Sequence, residues 1–431
     1  MADRRVLTLP AASATVVSNM IGTGVFTTTG LMAEMGAGSG DILLAWLLGG
    51  VIAVCGAFCY GEVGANLPHS GGEYYYLSRL LHPAVGFMSG VVSLVVGFAG
   101  PIAAAALALN LYVERVIADW PVRASAATMI VALSLLHAYD LRLGSRFQTA
   151  ITVLKVGLIA AFIGGVMLAV PAARPELLTL NTSFLTSSPF AVVLIYASFA
   201  YAGWNAAAYI GTELKTPQHT LPRSLVMGTA GVTALYLLLN LCYLLVAPPS
   251  ELAGSAEVGY VVGARLWGVS AANVISMLIA LTLLCPLSAM LMVGPRIAEA
   301  MAQDGFLPRS LATLNRRNVP SRAVVVVMVL AALITAMSSF AGLLIYIAFV
   351  LNIFSALTVF SLFRLRRENR AQVKVCIGYP VTPLLFLVFT VWMTVWSIYA
   401  QPWATLAGVA TLAAAYGLYL PRARQARLAA D

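Results

Sequence analysis

The sequence predicts an all-α polytopic membrane protein with twelve transmembrane helices, and three observations predict it. Hydrophobic residues make up 61% of 431 positions and charged residues only 10%, whereas a soluble domain carries about 25% charged residues. Apolar runs of about 20 residues, the length a bilayer-crossing helix needs, follow one another almost end to end. Lys and Arg collect on alternate loops between these runs, as the positive-inside rule requires.

The first half holds five spans. Span one, 8–35, follows Arg4 and Arg5 and so imitates a signal peptide, but it is too long and lacks a cleavage-like polar break. Span two, 41–66, carries Cys55, Cys59 and, near its end, Glu62. Span three, 84–112, contains Gly97, Gly100 and Pro101, which admit close packing or close approach of another group. Spans four and five cover 121–140 and 147–170.

Seven spans complete the set: 189–213, 222–247, 266–299, 321–338, 342–363, 380–399 and 402–420. Residues 1–171 and 186–363 then form two five-helix units. A basic loop at 364–379 leads to two additional helices within 380–420 and a tail at 421–431.

With the N-terminus in the cytoplasm, only Arg115, Arg123, Arg174 and Arg265 of the 25 Lys and Arg residues are external. Lys155 lies inside a span and the rest are cytoplasmic. Both termini are therefore expected inside, with the protein multi-pass in the cell (inner) membrane. The Arg364–Lys374 cluster reads as a topology signal next to lipid rather than a nucleic-acid site. None of the five cysteines falls in an external loop, which argues against structural disulfides. His69, His82, His137 and His219 are scattered, no metal-ligand spacing appears, and no cofactor is expected.

Two spans contain glycine-bearing polar breaks, Val17-Ser18-Asn19-Met20-Ile21-Gly22-Thr23-Gly24-Val25-Phe26 and Ser198-Phe199-Ala200-Tyr201-Ala202-Gly203-Trp204-Asn205-Ala206. Broken helices are tolerated at membrane depth only where the freed backbone is buried or lines a cavity. Each break exposes carbonyls of one half-helix and amides of the next. Such groups suit a zwitterion: amides of Thr23 and Gly24 for a carboxylate, carbonyls around Met20, Phe199 and Ala202 for an ammonium. Close helix packing would account for Gly22 and Gly24 alone; the second break, with Asn19 and Asn205 beside the two, favours a midplane site. Trp204 and Phe199 are expected to wall a side-chain pocket.

Lys155, well inside span five, is expensive in a bilayer and a functional candidate by default. It is expected to stand where a sodium ion would otherwise join helices one, five and eight, and to exchange a proton; snorkelling to the interface is the bland reading. Glu34, Glu62, Glu213 and Glu299 fall near span ends. No carboxylate is expected near the middle, which favours small neutral substrates over cationic ones.

The residues Ile21-Gly22-Thr23-Gly24-Val25-Phe26, Tyr60-Gly61-Glu62, Pro68-His69-Ser70-Gly71-Gly72-Glu73-Tyr74, Phe199–Asn205, Glu213–Arg223, Pro295-Arg296 and Asp304–Pro308 occur in order along nearly the whole chain. Together they resemble the amino acid–polyamine–organocation superfamily, nearest to bacterial relatives of the L-type amino acid transporters. The resemblance implies a five-plus-five inverted repeat with two extra helices and with helices one and six unwound. It implies a substrate site of Asn19, Met20, Ile21, Gly22, Thr23, Gly24, Phe199, Ala200, Ala202, Trp204 and Asn205. Lys155 matches the lysine of sodium-independent members, and Glu213, Lys215 and Arg223 are expected to gate the cytoplasmic side. An asparagine at the position of Asn19 touches substrate in arginine-type members, which keeps cationic amino acids and polyamines as the alternative cargo. Ala202 replaces a frequent glycine and His219 a usual arginine. A disulfide-linked heavy subunit is not expected.

The function implied is sodium-independent transport of small neutral L-amino acids, by exchange or proton symport. A non-transporting amino-acid sensor is the rival from another class. No nucleophile–base pair or metal cluster supports an enzyme, and no selectivity segment supports a channel.

Overall fold

The computed structural model describes residues 7–69, 71–139, 141–170, 175–317, 319–338, 340–400 and 402–428. Arg4, Arg5, Ser70 and Arg174 lie outside the described residues, as do the last three residues of the tail. Among the described residues the chain is helical, with one isolated parallel bridge between Leu7 and Leu214. Ten helical stretches there are long and apolar enough to cross a bilayer, and two more apolar helices are shorter.

The first span is divided into α1 (Leu9–Met20) and α2 (Gly24–Glu34). Helix α3 (Ser39–Asn66) starts where Asp41 Oδ2 accepts the amide of Gly38 at 3.1 Å. The other oxygen of Asp41 accepts the amide of Asn181, so one carboxylate fixes the start of α3 to a distant loop. After α3, Gly71 and Gly72 take positive φ values of 112° and 54° and turn the chain into the short helix α4 (Glu73–Leu80). A side chain there would strain the backbone and, at Gly72, run into the Tyr209 ring.

The third span is continuous but irregular: α5 (Pro83–Val92), a π-turn over Ser93–Ala99, then α6 (Gly100–Glu114). Pro101 has no N–H to give, and the wider turn before it absorbs the missing bond. Helices α7 (Val122–Tyr139) and α8 (Leu141–Ala169) close the first half.

A second interrupted helix follows. The single-turn α9 (Thr182–Leu185) leads to α10 (Ser188–Tyr201), which stops 12 residues short of the expected span end at 213. Two 3₁₀ turns, Ala206–Tyr209 and Gly211–Glu213, carry the chain on to α11 (Pro217–Val246). A short α12 (Pro249–Leu252) precedes α13 (Val258–Gln303), which bends at Gly268, φ 84°. The bend lies two residues past 266, the expected start of the eighth span, while the helix itself begins at Val258. Helices α14 (Ser321–Met337), α15 (Phe340–Arg367), α16 (Val381–Ala400) and α17 (Pro402–Leu428) complete the chain.

Packing places the two broken helices at the centre. Helix α1 lies along α11, α2 against α10, and α11 along α3, while α6 packs on α13. Helix α10 is almost wholly buried, in keeping with apolar residues on every face. At the periphery α16 exposes Val381, Leu384, Val388, Val391, Val395 and Ile398 along one side. In water that stripe would be a liability; against lipid it costs nothing.

Candidate functional site

Helix α1 ends because Ile21 leaves helical geometry, φ −71° and ψ 82°. The amide of Gly22 folds back onto the Met20 carbonyl at 2.7 Å, and the helix resumes at Gly24. Helix α10 ends when Ala202 becomes extended, ψ 146°, its amide bonding the Phe199 carbonyl at 2.9 Å. Gly203 then takes φ 96°, which few side chains tolerate.

The two breaks touch. A Cβ on Gly24 would overlap the backbone of Ala200, and one on Gly203 would stand 2.9 Å from the Asn19 carbonyl oxygen. Tyr236 of α11 donates its hydroxyl to the Met20 carbonyl and reaches the Ala200 carbonyl at 3.2 Å. One side chain therefore holds the ends of α1 and α10 together.

Between the breaks lies a cavity of about 110 Å³. A single water needs roughly 10–15 Å³ on this measure, so there is room for several waters or a small organic molecule. Of the expected site residues, Asn19, Met20, Gly22, Thr23, Gly24, Phe199, Ala200, Ala202, Trp204 and Asn205 line it. Ile21 does not; its carbonyl points instead to Lys155. The Asn19 side-chain amide turns back to the Thr15 carbonyl of its own helix at 2.8 Å. Trp204 is buried, edge-on to Tyr60 at 4.6 Å between ring centroids, and also meets Phe386. It backs the cavity and does not face lipid.

Lys155 is fully buried, so it does not reach the interface. Its Nζ donates to the carbonyls of Ile21, at 2.6 Å, and Ser18, at 3.3 Å. These carbonyls belong to the break and the last turn of α1, where intrahelical donors run out. Cys285 of α13 meets Thr152 of α8 at 3.3 Å and Ser18 of α1 at 3.7 Å, so the three helices converge here. An ammonium held by carbonyl oxygens occupies the kind of place a hard monovalent cation would take.

At the basic end of the bundle, Glu213 pairs with Arg296 of α13. The Glu213 carbonyl accepts the amide of Leu7, and the amide of Lys215 bonds the Leu7 carbonyl at 3.0 Å. Glu213 thus ties three segments together. The side chains of Lys215 and Arg223 are exposed. The partner of Glu213 is Arg296, which the expected gating trio omitted.

One correction concerns the cavity wall. No carboxylate is expected there from the spans alone, yet Glu73, from the loop segment after α3, lines it. It is 3% exposed. Tyr60 of α3, Asn205 at 3.2 Å and Ser355 of α15 at 3.2 Å all donate to its Oε1. Burial pushes its carboxyl up to about 7, against the pull of those hydrogen bonds. The Gly71-Gly72-Glu73 motif marked the loop but gave no sign that the loop folds inward. Glu62, read only as a span-end charge, is also buried: Arg366 grips it bidentately at 2.6 and 2.7 Å, and the amides of Val375 and Cys376 add two more bonds.

The sequence is similar to known amino acid transporters. The rat "Large neutral amino acids transporter small subunit 2" is 28% identical over 414 residues, covering 92% of this chain and 77% of its own length. The mouse "Asc-type amino acid transporter 1" is 25% identical over 429 residues, covering 95% and 79%. The mouse "Solute carrier family 7 member 13" is 29% identical over 371 residues, covering 82% and 76%. The first name describes that protein as one subunit of an assembly, so it lends no support to the expectation that a heavy subunit is absent. The family profile for amino acid permeases matches residues 7–418, nearly the whole sequence. With two broken helices meeting at one buried cavity inside a multi-pass bundle, the chain belongs to the amino acid permease family.

Proposed function

We propose that this permease carries small neutral L-amino acids by alternating access, without sodium, as an exchanger or a proton symporter. The observation that carries the reading is the meeting of two helix breaks at a single cavity. The first amides of α2, at Thr23 and Gly24, sit at a positive helix end and suit a carboxylate. Carbonyls ending α1 and α10, around Met20, Phe199 and Ala202, suit an ammonium; the Phe199 oxygen keeps a second lone pair for it, whereas the Met20 oxygen already accepts from Gly22 and Tyr236. The names of the relatives, with "neutral amino acids" and "Asc-type amino acid" among them, support the cargo class. Lys155 supports sodium independence, because its ammonium fills the carbonyl-lined junction of α1, α8 and α13.

Two five-helix units, 1–171 and 186–363, are supported by the matching place of the breaks, each in the opening helix of its unit. Twelve crossings are supported if the shorter apolar helices α10 and α14 cross along with the ten long ones. Loop charge supports cytoplasmic termini in a cell-membrane protein. All five cysteines are buried, which supports a chain not disulfide-linked to a partner.

A cationic amino acid or polyamine is the second reading, and Glu73 in the cavity wall favours it. The three protein donors already on its Oε1 leave it less suited to a substrate cation. The test is counterflow in proteoliposomes with radiolabelled L-alanine, L-leucine, L-arginine and putrescine. Flux of a neutral amino acid is the expected result. Binding without flux would make the protein a sensor, and flux of arginine or putrescine alone would reverse the cargo assignment.

A further inference from the structure

Glu73 is buried without a cationic partner among the described residues. Its own helix is α4, outside the crossing helices, yet its carboxylate sits in the wall of the cavity. Elements that surround it contribute neutral donors only: Tyr60 from α3, Asn205 from the segment after the α10 break, and Ser355 from α15. The titratable groups that face it are tyrosine hydroxyls, Tyr60, Tyr76 of α4 and Tyr209 of the 3₁₀ turn. The charged pair on the same two helices, Glu62 of α3 and Arg366 of α15, is closed on itself. A carboxylate so placed has no countercharge, and burial without one favours the neutral acid.

The geometry points to Glu73 as a proton-binding group of the transport cavity, ionised when water reaches it from the cytoplasmic face and protonated when that side packs over it. This rests on the alternating-access reading above. The three donors span α3, the α10 break and α15, so opening the cavity towards the cytoplasm must part at least one of them and hydrate the carboxyl. The sign follows from the two environments. Packed, the group titrates near 7; hydrated, it returns towards its ordinary value of 4.5. The packed form therefore binds the proton more tightly, gains stability as pH falls through about 7, and gains no more once the hydrated form is also protonated. Acid holds the cytoplasmic side closed and alkali lets it open. Glu73 thereby becomes a positioning residue for the α10 break as well, since Asn205 hangs from it.

Two measurements on the full chain decide this. Infrared difference titration in nanodiscs, between about pH 5 and 8.5, should show a protonated-carboxyl band with a midpoint near 7 that Glu73→Gln removes. Counterflow of an equimolar mixture of the twenty radiolabelled L-amino acids, at equal pH on both sides, should slow several-fold on acidification in the wild type. Glu73→Gln, a mimic of the protonated acid, should stay slow and flat across that range. Tyr60→Phe removes a donor to the ionised form, so its infrared midpoint should move to higher pH. An unchanged carboxyl titration in Glu73→Gln would overturn the assignment, as would a wild-type pH profile in that variant. If the wild type moves no amino acid at any pH, the transport reading fails, while the infrared titration still decides whether Glu73 binds the proton.

Discussion

The hydroxyl of Tyr236 donates to the carbonyl of Met20, the last residue of α1, and so places a side chain from α11 on a broken helix end. The same hydroxyl lies 3.2 Å from the Ala200 carbonyl in the last turn of α10. Two carbonyl ends that would otherwise repel are held side by side by one donor.

Removing that hydroxyl should loosen the site without emptying the core. Tyr236→Phe keeps the ring, which packs against Trp46 and Tyr201. It gives up a buried hydrogen bond of about 1 kcal/mol. Substrate affinity in a thermal-shift or scintillation-proximity titration should fall roughly 3- to 10-fold, the range that about 0.7–1.4 kcal/mol implies. Unaltered affinity would mean that the bridge does not shape the bound geometry.

Gly24 offers a sharper test, because its missing side chain is what lets α2 lie on α10. Gly24→Ala puts a methyl into the Ala200 backbone, an overpacking that costs about 1–3 kcal/mol or moves the helices apart. Counterflow should drop at least tenfold while the protein still reaches the membrane. Gly157→Ala, at a position with open space around it, is the control and should transport normally.

At the basic end of the bundle, Glu213 and Arg296 are partly exposed, with side-chain exposures of 23% and 34%. An ion pair of this kind contributes on the order of 0–1 kcal/mol to stability. Its effect should appear in kinetics instead. Glu213→Gln is expected to raise the exchange rate modestly, by about 2- to 5-fold, with little change in thermal midpoint. The swap Glu213→Arg with Arg296→Glu should restore the slower rate if pairing is the cause. A swap no slower than the single variant would assign the effect to something other than the pair.

Much of this architecture was legible in the sequence because lipid imposes simple rules. Apolar runs, basic loops and glycine-bearing breaks each report a local physical need, and α1 and α10 stop within the segments 17–26 and 198–206 read as breaks. What stayed hidden depends on distance in sequence. Nothing near Tyr236 says that its hydroxyl meets residue 20, and nothing near Glu62 says that Arg366 returns to grip it. Glu73 was hidden for a different reason: a carboxylate at the head of a short helix outside the spans is normally solvated, and only its packing against α3, the segment after α10 and α15 turns it inward. Ile21, expected in the substrate site with its neighbours, turns its carbonyl to Lys155.

Lys155 carries the last prediction. Its Nζ meets two carbonyls at the end of α1, and its side chain has no exposed surface. Replacement by methionine keeps the length and apolar bulk but removes every donor, leaving the Ile21 carbonyl without its ammonium partner. Losing such a partner costs about 1–3 kcal/mol for each buried acceptor. Lys155→Met should therefore lower counterflow at least tenfold, and added sodium or lithium is the natural candidate to refill the vacated junction. Partial rescue by either ion, at fixed ionic strength, would identify the ammonium as a stand-in for a bound cation. Transport lost with no ionic rescue would leave Lys155 a strut between α1 and α8. Uptake with the wild-type rate and pH profile would remove it from the mechanism altogether.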